Sequence, residues 1–234
     1  MAATLVAIQN LPVNPFMHVS QAVRQRISVR NFLSTPVANT VIANLLDQAA
    51  RAPSGGNLQP WRVYVLNDAS MARFATHVES RSQAEEPAYA IYPANLKDPY
   101  RSSRFKMGED MYALLGIPRE DKAARLAHLA RNFQFFDAPA AFFCFVDKIM
   151  GPPQWSDLGM FLQSFMLLAE EAGLSTCPQE AWANKAETVS SFLHPPSELT
   201  LFCGMAIGYA NTQAPVNKLV TEREPLEQWA TFIA

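Results

Sequence analysis

Apolar positions along the chain recur at two spacings, one typical of helices and one of strands, and this predicts an α+β fold. Helical spacing occurs in residues 14–27, 37–51, 68–78, 101–115, 119–133, 157–173 and 185–193. Extended or wholly apolar runs predict strands at 62–66, 140–146 and 199–209. Residues 82–100, 174–182 and 211–234 show little periodicity, and we expect irregular or turn-rich structure there.

Two segments carry many apolar residues, and we expect these residues to be covered by other parts of the protein or by a partner. The helix over 157–173 is apolar around most of its circumference, as is typical of a core or of a subunit interface. The tail 211–234 places Leu226, Trp229 and Phe232 at helical spacing but is too short to fold alone. We expect it to dock on another surface, such as a second subunit.

The proportions of hydrophobic and charged residues are those of an ordinary globular protein. The chain has 234 residues, of which 49% are hydrophobic and 17% charged, so it can bury a substantial core. No linker interrupts it, and we interpret residues 1–234 as a single domain with an insertion or lid at 80–131. The formal net charge is −2 and the basic residues are scattered, which argues against a nucleic-acid partner.

The chain shows no pattern of a membrane or secreted protein. Its first twelve residues lack the basic and apolar regions of a secretory signal. The longest apolar run, Ala138–Val146, is too short to cross a bilayer. Cys144, Cys177 and Cys203 are far apart, which predicts reduced buried thiols and no metal site. We therefore expect a cytoplasmic protein.

The connection between the helix over 37–51 and the strand over 62–66 contains Pro53-Ser-Gly-Gly-Asn57. The glycine pair permits backbone conformations that other residues avoid, so the loop can bring N–H groups close to a flat ligand. An ordinary helix-to-strand connection is the alternative. The continuation through Gln59-Pro-Trp61 makes the ligand-binding interpretation stronger.

A second candidate site is the alternating segment Arg26-Ile-Ser-Val-Arg30. In an extended backbone Arg26, Ser28 and Arg30 point to the same side, because side chains repeat with a period of two residues. Two guanidinium groups beside a hydroxyl can bind phosphate oxygens. The alternative is a solvated strand edge with unpaired charges.

Together these motifs resemble the FMN-dependent nitroreductase family, in particular its NAD(P)H-dependent nitrobenzoate and dinitroaromatic reductases. The resemblance rests on Arg26-x-Ser-x-Arg30, on Pro53-Ser-Gly-Gly-Asn57-x-Gln-Pro-Trp61 and on Cys203-Gly-x-x-Ile-Gly-Tyr209 ahead of Arg223-Glu-Pro-Leu226. Trp155-x-Asp-x-Gly159 and Gly173-Leu-x-Thr-Cys-Pro-Gln-Glu180 extend it, and it covers residues 15–232. The order and separation of the motifs make it specific.

The resemblance implies a homodimeric α/β/α sandwich with a mainly antiparallel central sheet of four or five strands. It also implies two FMN sites at the dimer interface, with NADPH or NADH as the co-substrate. The tail 211–234 would embrace the partner subunit.

The resemblance also implies roles for particular residues. Arg26, Ser28, Arg30 and Arg223 would bind the FMN phosphate and ribityl chain. Further contacts with the isoalloxazine ring would come from the partner's loop, from the segment after the long helix and from a loosely matched glutamine: Pro53, Ser54, Gly55, Asn57, Pro178, Gln179, Glu180 and Gln134.

Some features depart from the family pattern. Ala181 stands where the family often has glycine, and Thr221 stands where some members have a basic residue, so Arg30 would carry more of the phosphate charge. The insertion at 80–131 also lies elsewhere than in well-known relatives. We expect its Tyr89, Tyr92 and Tyr100 to form a wall of the substrate slot. The alternative is that they only brace the loop.

By resemblance, the activity is a two-electron, ping-pong transfer of hydride from NAD(P)H to a small nitroaromatic substrate. The flavin carries the chemistry, so no catalytic side chain is expected, and the Glu180 backbone would lie near flavin N5. A quinone, an activated alkene or a halophenol as acceptor is the alternative within enzymes. A flavin-binding protein without turnover is the alternative outside them.

Overall fold

The computed structural model of the chain describes residues 17–81 and 83–233. Its centre is a four-stranded antiparallel sheet with the strand order β1-β2-β4-β3. The strands are β1 Arg62–Asn67, β2 Ala140–Asp147, β3 Ser175–Gln179 and β4 Leu199–Gly208. The three strands predicted from the sequence are confirmed as β1, β2 and β4.

Helices cover the sheet in the described part of the chain. They are α1 Val19–Gln25, α2 Asn39–Ala49, α3 Ala69–Glu79, α4 Tyr100–Leu114, α5 Lys122–Ala130, α6 Pro152–Glu171, α7 Ala186–Leu193 and α8 Leu226–Trp229. Most predicted helices are confirmed with ends that differ by a few residues, and positions 14–16 of the first lie outside the described residues. Across residues 17–81 and 83–233, no helix is long and apolar enough to cross a membrane.

Alternate side chains of β2 build a core on each face of the sheet. On one face Phe142 packs edge-on against Phe165 of α6, with ring centroids 5.0 Å apart. On the other face Phe143 meets Phe74 of α3 at 5.3 Å and Trp182 at 5.1 Å. β2 therefore needs apolar residues throughout, and the predicted α/β/α sandwich is confirmed.

Residues 174–182 were predicted to be turn-rich, and this is wrong because they contain β3. The strand pairs with β4 from Ser175 opposite Gly208 to Gln179 opposite Gly204. It is only five residues long and includes Pro178, so its own sequence signal is weak. Pairing with β4 supplies the stabilisation that local propensity lacks.

Two helix boundaries also differ from prediction. The helix predicted over 119–133 is shorter, because α5 begins at Lys122 and the chain passes into a tighter 3-10 turn at Arg131–Asp137. Phe135 and Phe136 in this turn have left-handed φ angles of 49° and 54°. The helix predicted to begin at Ser156 or Asp157 begins at Pro152 instead. Proline has no N–H to donate and a helical φ, so it suits the first turn of a helix.

Hydrogen bonds from three residues hold the irregular start of the insertion to the body. The Glu85 carboxylate accepts the backbone N–H groups of Glu187 and Thr188 at the start of α7, at 2.8 and 3.1 Å. Ala88 donates its N–H to the Ala183 carbonyl at 2.8 Å. The Tyr89 hydroxyl donates to the Phe202 carbonyl of β4. The first part of this loop is therefore docked on the body.

Candidate functional site

The segment from Arg26 to Arg30 runs along the edge of the sheet beside β3. Val29 donates its backbone N–H to the Thr176 carbonyl at 3.0 Å, and Ser28 forms a parallel bridge with Thr176. The Val29 side chain is 1% exposed and fills the core, so the alternation of an extended segment directs Ser28 and Arg30 the other way. Packing on β3 thus fixes the orientation of both polar side chains.

Arg26, Ser28 and Arg30 line one open cavity of about 670 Å³, and Arg223 from the tail lines it with them. Within residues 17–81 and 83–233, no carboxylate oxygen lies within 4.0 Å of these three guanidinium groups. The cavity therefore carries positive charge without a close counter-ion. An anion with several oxygens, such as a phosphate ester, is the ligand that this arrangement favours.

Asn217 joins the tail to the arginine segment. Its Oδ1 accepts the Arg30 backbone N–H at 2.8 Å, and its Nδ2 donates to the Asn31 carbonyl at 2.7 Å. Further along the tail, Arg223 donates to the hydroxyl of Thr221 at 2.8 Å and to its carbonyl at 3.1 Å. These bonds bring a tail guanidinium to the cavity, and no motif in the sequence pointed to Asn217.

Glu170 on α6 lies beyond ion-pair distance of Arg26, although the charges of the two groups interact. Burial raises the pKa of its carboxyl to about 7, and the positive charge of Arg26 opposes part of that rise. The group therefore changes charge near neutral pH. Above this pKa the ionised Glu170 carboxylate interacts electrostatically with the Arg26 guanidinium.

The predicted ligand loop contains a tight turn at Gly55–Asn57. Gly56, Asn57 and Gln59 have left-handed φ angles of 56°, 59° and 49°, which explains the glycine and asparagine there. Pro53, Gly55 and Asn57 are exposed and Ser54 is half-buried. None of these residues lines the arginine cavity of the same chain.

The predicted residues at the end of β3 lie beside the arginine segment but also outside the cavity lining. Gln179 is 2% exposed, and its Nε2 donates to the Asn132 carbonyl at 2.8 Å. Pro178 is half-buried, whereas Glu180 and Gln134 are exposed. The structure thus brings together the four residues predicted to bind phosphate and leaves those predicted to contact the flavin ring outside the cavity lining.

Sequence reasoning missed three residues that shape this region. Met107 of α4 lines the arginine cavity, so the insertion contributes to it directly. Asn217 holds the tail, and Asp157 of α6 accepts the Gly55 backbone N–H at 3.2 Å. Asp157 was considered only as a cap for the start of α6, whereas Met107 and Asn217 had no local signal.

The lining residues fit a phosphorylated cofactor, because they offer several guanidinium groups and a hydroxyl around one concave surface. The protein is thus an α/β/α sandwich of the α+β class, with an arginine-lined cavity beside the edge of its sheet. The family model described as the nitroreductase family matches residues 23–209. The chain therefore belongs to the nitroreductase family.

Individual relatives agree with this assignment. The 4-nitrobenzoate reductase of Pseudomonas putida is 36% identical over 212 residues, with 90% of this chain and 93% of that protein covered. The nitrobenzene nitroreductase of Ectopseudomonas oleovorans is 33% identical, with coverage of 95% and 99%. A crystal structure of the FMN- and NADPH-dependent nitroreductase NfnB from sphigopyxis sp. strain HMH superposes with a TM-score of 0.89 at 43% identity, covering 93% of this chain and all of that chain.

Proposed function

We propose that the protein is an FMN-dependent oxidoreductase that transfers hydride from NADPH or NADH to small nitroaromatic compounds. The observation that carries the proposal is the cavity in which Arg26, Arg30 and Arg223 converge without a close carboxylate in the described residues. Relatives that reduce nitrobenzoate and nitrobenzene support the substrate class. A cytoplasmic location is part of the proposal.

In this proposal the four cavity residues hold the FMN phosphate. The guanidinium groups of Arg26, Arg30 and Arg223 neutralise its charge, and Ser28 donates a further hydrogen bond. When bound, the flavin supplies the hydride chemistry at its N5 atom, so the chain has to position the ring and exclude water. Contacts along the ring are assigned to Pro53, Ser54, Gly55, Asn57, Gln134, Pro178, Gln179 and Glu180.

The proposal includes a homodimer in which the loop of one subunit completes the site of the other. Residues 53–57 lie outside the arginine cavity of their own chain, so a partner subunit is required to bring such a loop to it. Large apolar side chains are also exposed where a partner would cover them. Val19 is 74% exposed on α1, and Trp229 and Phe232 are 67% and 83% exposed in the tail. We further propose that nicotinamide and nitroaromatic occupy one slot in turn, as a ping-pong reaction requires.

The test is purification of the full chain with added FMN, followed by anaerobic mixing with NADPH or NADH and then with 4-nitrobenzoate. We expect a yellow protein that either nucleotide bleaches and that the nitro compound reoxidises. A protein that retains no FMN would contradict the cofactor assignment. A bleached protein that quinones reoxidise but nitroarenes do not would contradict the substrate class.

A further inference from the structure

Asp157 lies within α6 and is only 4% exposed, although α6 is otherwise mainly apolar toward the core. Burying a carboxylate costs free energy unless hydrogen bonds satisfy it. Its Oδ2 accepts the backbone N–H of Gly55 at 3.2 Å. This bond joins α6 to a loop 102 residues away in sequence.

The same face of α6 holds the other end of this loop. Phe161 lies four residues after Asp157, one helical turn further on, so both side chains face the same way. Its ring stacks on Trp61, with centroids 4.9 Å apart and planes within 10°. Helix α6 thus contacts the segment 54–61 at both Gly55 and Trp61.

Between these two contacts the loop is bonded mainly to itself. Asn57 donates its N–H to the Ser54 carbonyl at 2.9 Å, and Gln59 donates its N–H to the Ser54 hydroxyl at 3.0 Å. Asn57 and Gln59 nevertheless hold left-handed φ angles, which cost free energy in residues with a side chain. Such a conformation persists only where neighbouring structure supports it.

We propose that Asp157 is a positioning residue that sets the conformation of the loop 54–61. The inference rests on the proposed function, in which this loop packs on the flavin ring bound by a partner subunit. Asp157 contacts no reacting group; it holds the Gly55 N–H, while Phe161 holds the Trp61 ring. The shape of the loop surface that would face the flavin ring then depends on the buried Asp157 carboxylate, which does not itself contact the ring.

The test compares Asp157→Leu and Asp157→Asn with the wild-type chain, and uses Asp47→Asn as a control. Leucine keeps the branched shape of the side chain, with two larger methyl groups in place of the oxygens, and removes the acceptor. Asparagine keeps an oxygen that can accept the Gly55 N–H. Asp47 is exposed on α2 and offers the same chemical change away from the loop. Deuterium exchange is measured on flavin-free protein for peptides covering 54–61 and, as a reference, 140–146.

We expect exchange in 54–61 to be about tenfold faster in Asp157→Leu, with the 140–146 peptide unchanged, because the bond to a charged acceptor is lost. The unfolding temperature should change little, because Gly55 is exposed and its N–H can bind water once the carboxylate is removed. Asp157→Asn and Asp47→Asn should exchange like the wild type. After loading with FMN, NADPH should bleach Asp157→Leu about tenfold more slowly.

Unchanged exchange in 54–61 would overturn the inference, as would exchange that accelerates equally in both peptides or a variant that does not fold. Equal bleaching rates in the wild type and in Asp157→Leu would also overturn it. Failure of the wild-type chain to bind FMN would contradict the proposed function instead, and the exchange measurement would still decide whether Asp157 holds the loop.

Discussion

At the scale of single residues, Arg30 has two separate roles in the cavity. Its backbone N–H binds Asn217 of the tail at 2.8 Å, and its Nη1 donates to the Ser28 carbonyl at 3.2 Å. Its guanidinium also lines the cavity. Arg30 therefore anchors the tail through its backbone and presents charge to the cavity through its side chain. A substitution of the side chain removes the charge and leaves the backbone bond to Asn217 in place.

We expect Arg30→Ala to weaken FMN binding roughly tenfold or more, because a hydrogen bond to a charged group contributes about 1.5–3 kcal/mol. Fluorescence titration of the flavin-free protein with FMN measures the change. Arg73→Ala, which removes an exposed cation on α3, is the matched control and should bind FMN like the wild type. Equal affinities for both variants would contradict the phosphate assignment.

Glu170 makes stability depend on pH in a defined direction. Its pKa is raised from 4.5 to about 7 by burial, so the folded state binds more protons than the unfolded state between these values. The contribution of this carboxyl to stability is therefore fully present below about pH 4.5 and is lost as the pH rises through 7.

We expect Glu170→Gln to remove this dependence. The variant should gain unfolding temperature relative to the wild type at pH 8, and gain less at pH 5, where the wild-type carboxyl is mostly neutral. Thermal unfolding at both pH values measures the difference. Glu79→Gln, an exposed change at the end of α3, should show no such pH-dependent gain. A gain that is the same at pH 5 and pH 8 would count against the assignment.

At the scale of elements, α4 of the insertion packs against the tail. Met111 is 8% exposed and packs with Val216 and Leu219, which are 2% and 7% exposed. Lys106 also approaches the Glu222 carboxylate at 3.6 Å, next to Arg223. The helix therefore supports the part of the tail that carries the last cavity arginine.

Truncation of Met111 tests this support. Removing a buried methionine side chain costs about 2–5 kcal/mol, and we expect about 2 in this small cluster. Arg223 should lose its position, so Met111→Ala should release FMN several-fold faster in a dilution experiment. Leu129→Ala on α5, where the side chain is 53% exposed, serves as the control. Retention equal to the control would show that α4 and the tail are not coupled.

The tyrosines of the insertion divide between the two roles expected of them. Tyr89 braces the loop, because its hydroxyl donates to Phe202 and its ring meets Trp155 at 5.1 Å. Tyr92 is 47% exposed, with the Arg104 guanidinium 4.0 Å from its ring centroid, and Tyr100 is 61% exposed. Both rings therefore keep surface that a ligand can contact. The role in substrate binding stays a prediction for these two residues.

We expect Tyr92→Ala to change the order in which nitroarenes are reduced, with FMN still bound. A stacked aromatic pair contributes about 0.5–1.5 kcal/mol, which is a few-fold to about tenfold in relative rate. Stopped-flow reoxidation with a panel of nitroarenes measures the order. Tyr92→Phe keeps the ring and should preserve it, and an unchanged order in Tyr92→Ala would restrict Tyr92 to a structural role.

At the scale of the whole molecule, the arginine cavity and the loop 53–57 lie in different places on one chain. In the homodimer that we propose, each subunit would supply this loop to the cavity of the other. We expect light scattering to show a dimer at micromolar concentration, and removal of residues 226–233 to weaken it because Trp229, Phe232 and Ile233 lose their partner surface. A flavin-loaded monomer with full activity would contradict the dimer.

The sequence by itself determined the features that depend on local pattern and on side-chain chemistry. β2 and β4 are apolar along most of their length, and the period of the helices shows directly in the spacing of apolar residues. The alternation in 26–30 was enough to predict that Arg26, Ser28 and Arg30 share one side, because side-chain direction follows from an extended backbone. The phosphate role of these residues came from the family resemblance. Motif order was enough to identify the family.

Only the tertiary structure decided the features that depend on contacts between distant segments. β3 forms because β4 lies beside it, and its five residues carry too little pattern to show this alone. Arg223 joins Arg26 and Arg30 through bonds of Asn217, whose 187-residue separation from Arg30 leaves no trace in local sequence. Asp157 reaches Gly55 for the same reason. These partners are determined by long-range packing. Many segments offer the same hydrogen-bonding groups, and the packing of the core decides which of them lie close together.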